Sequence, residues 1–257
     1  MMPAIELADV SVRFGGIQAL DHVSLAVPAR QIRGIIGPNG SGKSTLVNVA
    51  SRVVDPAAGT VRVDGQDITR LQTHAASRLG IVRTFQRVEL VGQLTVLENV
   101  MLGAAGEASP ALPALALRLP SVRARERELL DRARAALAFV GIERLAQQRG
   151  NELSGGQMRL VEFARAVMAR PRILLLDEPA AGLSLPRIDR VRDLILKINA
   201  DLGVTVVLVE HVLNLVMTLS QQVSVLVSGS LLCEGTPEAI RADARVREAY
   251  LGRRGTA

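Results

Sequence analysis

The chain reads as an α/β fold with a mainly parallel core sheet, antiparallel strands ahead of it and a helical subdomain inserted into it. Three observations predict this. The runs ILLLDE (173–178) and VTVVLVE (204–210) are almost continuously apolar, as strands covered on both faces of a parallel sheet are. Segments with helical patterns separate the strand-like runs, the alternation that builds such a sheet. The short apolar run IRGIIG (32–37) feeds a glycine-rich loop, and a helix-like stretch, STLVNVASRV, follows from Ser44.

Taken in order, AIELADVSVRF (4–14) alternates in strand fashion, turns at Gly15 and Gly16, and is answered by VSLAV (23–27). GTVRVDG (59–65) is a further short strand, and GIVRTFQ (80–86) ends another. An inserted helical subdomain is expected over 92–165, inside a single domain of 1–257. It includes a Pro/Ala/Leu-rich connector, GEASPALPALALRLPS (106–121). No internal repeat is evident.

Composition narrows the function. With 257 residues, 48% of them hydrophobic, the chain can bury a substantial core. A net charge of +6 invites a nucleic-acid reading. The basic residues are nevertheless spread out and interleaved with acids, as in SVRARERELLDRARAAL (121–137), which is the pattern of a solvated helix face. Four Phe, one Tyr and no Trp leave little for stacking bases. Cys233 is the only cysteine, so an internal disulfide is excluded and a reducing compartment expected. No basic-then-apolar leader is evident, and the uncharged stretch 212–233 is too rich in Ser, Thr, Asn and Gln to span a membrane. A soluble cytoplasmic protein is expected, with any membrane role exercised through partners.

GPNGSGKST (37–45) fits G-x-x-x-x-G-K-[ST], with an apolar strand before it and a helix after it. Gly37, Pro38, Asn39, Gly40, Ser41, Gly42, Lys43, Ser44 and Thr45 form this phosphate loop. Its backbone N–H groups surround phosphates, Lys43 brings mobile charge to the β/γ oxygens, and the Ser44 hydroxyl is placed for Mg²⁺. A turn needed only for packing does not explain Lys43, one of two lysines in the chain. Asp177 closes a buried strand at the end where ligands collect, and can hold Mg²⁺ through a water. Glu178 points the other way if the chain stays extended, so it can orient or deprotonate a water. An acidic pair at a strand end is elsewhere often a helix cap; the nearby phosphate loop argues for chemistry.

A second paired-glycine stretch, NELSGGQMRLVEFARAV (151–167), also opens a helix, where backbone N–H groups favour an anion. Two phosphate-type sites in one chain call for an explanation.

With these motifs in place, the chain resembles the ATP-binding subunit of ABC transporters over essentially its whole length. The motifs stand in that family's order: Walker A at 37–45, the Q-loop Gln86, the signature LSGGQ at 153–157, Walker B at 173–178 and the switch His211. The resemblance implies ATP and Mg²⁺ as cofactors and a P-loop NTPase fold. It also implies a head-to-tail dimer in which Ser154, Gly155, Gly156 and Gln157 of one subunit meet the γ-phosphate held by the other. On this view ATP joins the dimer and hydrolysis releases it, which removes the redundancy. It further implies that His211 contacts the γ-phosphate and Glu178. Gln86 is implied to bind Mg²⁺ or the lytic water, and Phe14 to stack on adenine, although Phe14 could equally be core. Lys43, Gln86, Glu178 and His211 are thus the candidate catalytic residues, and Ser44, Gln86 and Asp177 the candidate metal ligands.

GIVRTFQ, EPAAGLS (178–184), VEHVLNLVM (209–217) and the terminal REAYLG (247–252) look like the branched-chain amino acid importer subgroup, whose relatives also handle urea or short amides. The implied partners are a second ATP-binding subunit (a related chain or a second copy), two transmembrane permease subunits and, indirectly, a substrate-binding protein. No nucleic acid is expected, and the place of work is the cytoplasmic face of the membrane. Ser184, Val91 and Leu160 depart from residues common in relatives, and none of them removes a group the chemistry requires. A lipid or polysaccharide exporter shares the motifs. A non-transport ATPase acting on nucleic acid usually carries two nucleotide domains or a long coiled coil, and neither is present.

Overall fold

The structure is a computed structural model describing residues 2–84, 89–107 and 120–251. In chain order, β1 (Pro3–Phe14), β2 (Ile17–Pro28) and β3 (Ile32–Ile36) lead to α1 (Lys43–Ala50). There follow β4 (Ala58–Val63), β5 (Gln66–Asp67), α2 (Thr73–Arg78) and β6 (Ile81–Thr84). Next come α3 (Val96–Met101), α4 (Pro120–Val140) and α5 (Gly155–Met168). The chain continues through β7 (Ile173–Asp177), α6 (Leu185–Leu202), β8 (Thr205–Val209) and α7 (Leu213–Leu219). It ends with β9 (Gln222–Val227), β10 (Ser230–Gly235), α8 (Pro237–Ala242) and α9 (Ala244–Leu251). Two compact units result, Met1–Arg83 with Arg172–Ala257, and Thr84–Pro171.

In the first unit, a four-stranded sheet runs in the order β2-β1-β4-β5, with every neighbouring pair antiparallel. Period-two patterning sets its register: Val23, Leu25 and Val27 of β2 are buried between exposed neighbours and lie opposite Val10, Leu7 and Ile5 of β1. The second sheet has the order β10-β9-β3-β8-β7-β6. Within it β9–β3, β3–β8 and β8–β7 are parallel, and β10 is antiparallel to β9. Every residue of β3, β7 and β8 is buried, so these strands form its centre. Each buried Leu, Ile or Val side chain there contributes about 1.5–3 kcal/mol.

This order has a direct consequence for the site. Three parallel strands lie side by side, so their C-terminal residues, Ile36, Val209 and Asp177, share one edge of the sheet. The loop leaving each strand is delivered there.

In the second unit, α5 packs against α3 and α4. Ala133, Ala136, Leu137 and Val140 give α4 its buried stripe. Its charged residues pair locally instead, Arg125 with Glu128 at 2.9 Å and Arg132 with Glu107 at 2.6 Å. The Arg/Glu-rich stretch is therefore a helix surface satisfied by its own neighbourhood. The connector 106–121 lies largely outside the described residues. Among the described residues no helix is long and apolar enough to cross a membrane.

Candidate functional site

The loop after β3 has the shape its glycines predict. Gly40 and Gly42 have φ of 76° and 97°, a region L side chains rarely adopt. A Cβ on Gly42 would also lie 2.4 Å from the Ala19 carbonyl oxygen. Gly42 is the N-cap of α1, with no side-chain cap and no acid in the first turn. The first-turn N–H groups are therefore not committed to a side chain of the cap, and the positive end of the helix dipole faces the loop. Lys43 is only 5% exposed, and its Nζ donates to the carbonyls of Gly37 and Pro38, each at 2.9 Å. Burial pushes its pKa down, while the carboxylates of Glu178 and Asp177 push it up. Ser41 Oγ is buried without a hydrogen-bond partner among the described residues. Asn39, Gly40 and Ser44 are exposed, and Pro38 and Thr45 half-buried.

Asp177 ends β7 at 4% exposure. Its Oδ2 accepts from Arg83 Nη2 at 2.9 Å, and Arg83 also donates to Asn48 Oδ1 on α1. Oδ1 of Asp177 is buried with no hydrogen-bond partner among the described residues. An uncompensated buried carboxylate oxygen is costly, so it marks a place for a ligand.

Glu178 does not continue the extended strand, and here the sequence expectation needs correction. Its φ is +51°, a left-handed turn. Its N–H still makes the next bond of the parallel β7–β8 ladder, to the Val209 carbonyl at 2.8 Å, and the chain turns just beyond that bond, at its own Cα. The turn brings Glu178 Oε1 to 2.8 Å from Nε2 of His211, the exposed residue just beyond β8. Between Val209 and His211 sits Glu210, 2% exposed. It accepts backbone N–H groups from Ala180, His211 and Val212. Neither Arg83 nor Glu210 is among the residues expected from sequence. A carboxylate directly after a fully buried, almost wholly apolar strand is the available signal for Glu210.

Ser154, Gly155, Gly156 and Gln157 open α5 in the second unit. Ser154 Oγ accepts from Gln157 N at 3.4 Å, and Gln157 Oε1 accepts from Ser154 N at 2.8 Å, a reciprocal capping box. The N–H groups of Gly155 and Gly156 have no acceptor within the helix. Ser154 and Gly155 are exposed, and a Cβ on Gly155 would meet nothing within 4 Å, so an outside ligand can approach. Phe14 is 50% exposed where the β1–β2 hairpin turns, which rules out the core alternative. Gln86 lies outside the described residues. Ser184, Leu185 and Val91 are exposed, whereas Leu160 is buried on α5.

The chain is similar to known proteins over nearly its whole length. The family pattern described as "ABC transporter" matches residues 20–181. The pattern described as "Branched-chain amino acid ATP-binding cassette transporter" matches residues 230–256. The chain is 40% identical over 250 residues to the high-affinity branched-chain amino acid transport ATP-binding protein BraF of Pseudomonas aeruginosa, covering 97% of this chain and 98% of that one. It is 36% identical, with the same coverage, to the corresponding LivG protein of Escherichia coli. Among solved structures, the ADP conformation of the ATP-binding cassette MJ1267 superposes with a TM-score of 0.84 at 33% identity, over 98% of this chain and all (100%) of that one. A dimeric post-hydrolysis state of the cassette MJ0796, bound to ADP and Pi, gives 0.76 at 29% identity over 91% and 98%.

Proposed function

Because the chain belongs to the ATP-binding cassette transporter family, we propose that it is the ATP-hydrolysing subunit of an importer for branched-chain or other amino acids. As a member of that family it is an ATPase whose turnover powers transport. One observation carries the residue-level reading: the phosphate loop, Asp177 and the Glu178–His211 pair stand on one edge of three adjacent strands.

The phosphate loop binds the β and γ phosphates through its backbone N–H groups. Lys43 exchanges carbonyl acceptors of Gly37 and Pro38 for phosphate oxygens. Phe14 offers an exposed ring to the adenine. Ser44 and Asp177 would hold Mg²⁺, and Gln86 would join them. Mg²⁺ is characteristically held by one or two protein oxygens together with phosphates and waters, and Asp177 Oδ1 suits it. When bound, the ion neutralises charge on the phosphates. Glu178 orients or deprotonates the attacking water, and His211 fixes the carboxylate while reaching the γ-phosphate. General-base assistance of this kind contributes about 10²–10⁴-fold.

The start of α5 completes a neighbour's site. Its capping box uses the Ser154 and Gln157 side chains for the helix itself, and leaves the Gly155 and Gly156 N–H groups for a phosphate. The second ATP-binding subunit is a related chain or another copy. The chain works at the cytoplasmic face of the membrane, where two transmembrane permease subunits, and through them a substrate-binding protein, complete the transporter. We read 92–165 as the inserted helical subdomain within one ATP-binding domain spanning 1–257. The match at 230–256 favours amino acids over urea, short amides or an exported lipid.

The test is reconstitution in vesicles of the complex that co-purifies with the chain. ATP-dependent uptake of leucine is expected. Uptake of urea or short amides alone, or outward movement of lipid, contradicts the importer assignment.

A further inference from the structure

Glu210 is a buried carboxylate that the ATPase reading leaves without a task. It follows β8 at 2% exposure, and among the described residues no cation pairs with it. Its charge is met by backbone donors: Ala180 N at 2.6 Å on Oε1, with His211 N at 2.9 Å and Val212 N at 3.2 Å on Oε2. Charge-assisted bonds from N–H groups are among the stronger ones, and losing an acceptor strands buried donors.

Those donors come from two segments. Ala180 lies two residues beyond Glu178, on the turn after β7, whereas His211 and Val212 form the loop after β8. One carboxylate therefore ties the two segments together, one oxygen to each. The other tie is Glu178 N to Val209 O, at 2.8 Å. The two ties flank the Glu178–His211 bond, and Glu178 holds a left-handed φ of 51° that a glutamate does not choose unaided.

We propose that Glu210 is a positioning residue, a clamp between the two turns that sets the Glu178–His211 hydrogen bond and so the geometry of the hydrolytic step. It acts through backbone and touches neither nucleotide nor water. The inference rests on the reading that Glu178 and His211 serve hydrolysis.

Glutamine at 210 keeps one acceptor oxygen and presents an NH₂ group to the other set of N–H donors, so one tie breaks at nearly constant volume. The experiment is a double-mutant cycle on steady-state ATP turnover with Glu210→Gln, His211→Ala and both together, with folding checked by thermal melting. Glu210→Gln is expected to lower kcat about 10- to 100-fold, the scale of a small misplacement of reacting groups, and to change KM for ATP by less than about threefold. In the His211→Ala background the same substitution is expected to change kcat less than about twofold, because the pair it positions is already gone.

An equal fractional loss in both backgrounds, a loss confined to KM, or no loss at all overturns the clamp. If His211→Ala itself turns over at the wild-type rate, the reading of the pair falls, and the clamp with it. Should Glu210→Gln not fold, Glu210→Asp, which keeps both acceptor oxygens on a shorter arm, carries the same cycle. If neither variant folds, Glu210 is assigned to stability alone and the proposal is overturned.

Discussion

His211 Nε2 lies 2.8 Å from Glu178 Oε1, although the two residues are 33 positions apart and sit on loops following different strands. A carboxylate held in this way loses rotational freedom before any substrate arrives, so less ordering is left for the reaction itself. His211→Ala frees the carboxylate without removing it. Turnover should fall about 10- to 100-fold with ATP affinity little changed, measured as kcat and KM in a coupled assay.

Lys43 makes the opposite kind of contribution. Its ammonium is buried against the carbonyls of Gly37 and Pro38, so its charge stands ready for phosphate. Lys43→Ala should weaken ATP binding itself, by about 10- to 100-fold, the equivalent of about 1.5–3 kcal/mol for a charge-assisted bond. Equilibrium titration with a fluorescent ATP analogue reads this directly.

Ser154 separates capping from partner recognition. Aspartate caps helices as well as serine does, so Ser154→Asp should leave thermal stability within about 0.5 kcal/mol. It also sets a negative charge where a neighbour's γ-phosphate would dock. In a Glu178→Gln background, ATP-dependent association with the second ATP-binding subunit should be lost while ATP affinity of the isolated chain holds. Analytical ultracentrifugation with and without ATP checks both halves.

Asp243, at the head of α9, supplies a pH test away from the nucleotide site. Hydrogen bonds from the Arg245 side chain, then from its backbone N–H, hold the Asp243 carboxyl down at about 2, against an ordinary 3.8. A depressed carboxylate pKa adds stability above the ordinary value and loses it as pH falls through the folded one. Amide protection of α9 should therefore drop as pH falls from about 4 to about 2. In Asp243→Asn it should already be low and stay flat, read by hydrogen exchange.

Much of this site is legible in the sequence because it is made by strand ends. Apolar runs at 32–36, 173–177 and 205–209 announce buried parallel strands, and the residues just beyond each run are delivered to a common edge. The glycines of 37–42 are readable because a loop this tight needs backbone angles that exclude most side chains. Glu178 is harder. Alternation along a strand says nothing of a left-handed φ just past its end, nor of His211, 33 residues away, as the partner the turn brings within reach. Arg83 on Asp177 and Glu210 on Ala180 are likewise contacts between distant segments. The capping role of Ser154 and Gln157 is visible in their spacing, but it stands behind the more conspicuous glycines.

Single-turnover hydrolysis of ATP by Glu178→Gln protein bears most directly on the central claim that Glu178, steadied by His211, acts on the attacking water. The account predicts ATP bound with wild-type affinity and cleaved about 100-fold more slowly or worse. Cleavage at the wild-type rate would contradict it.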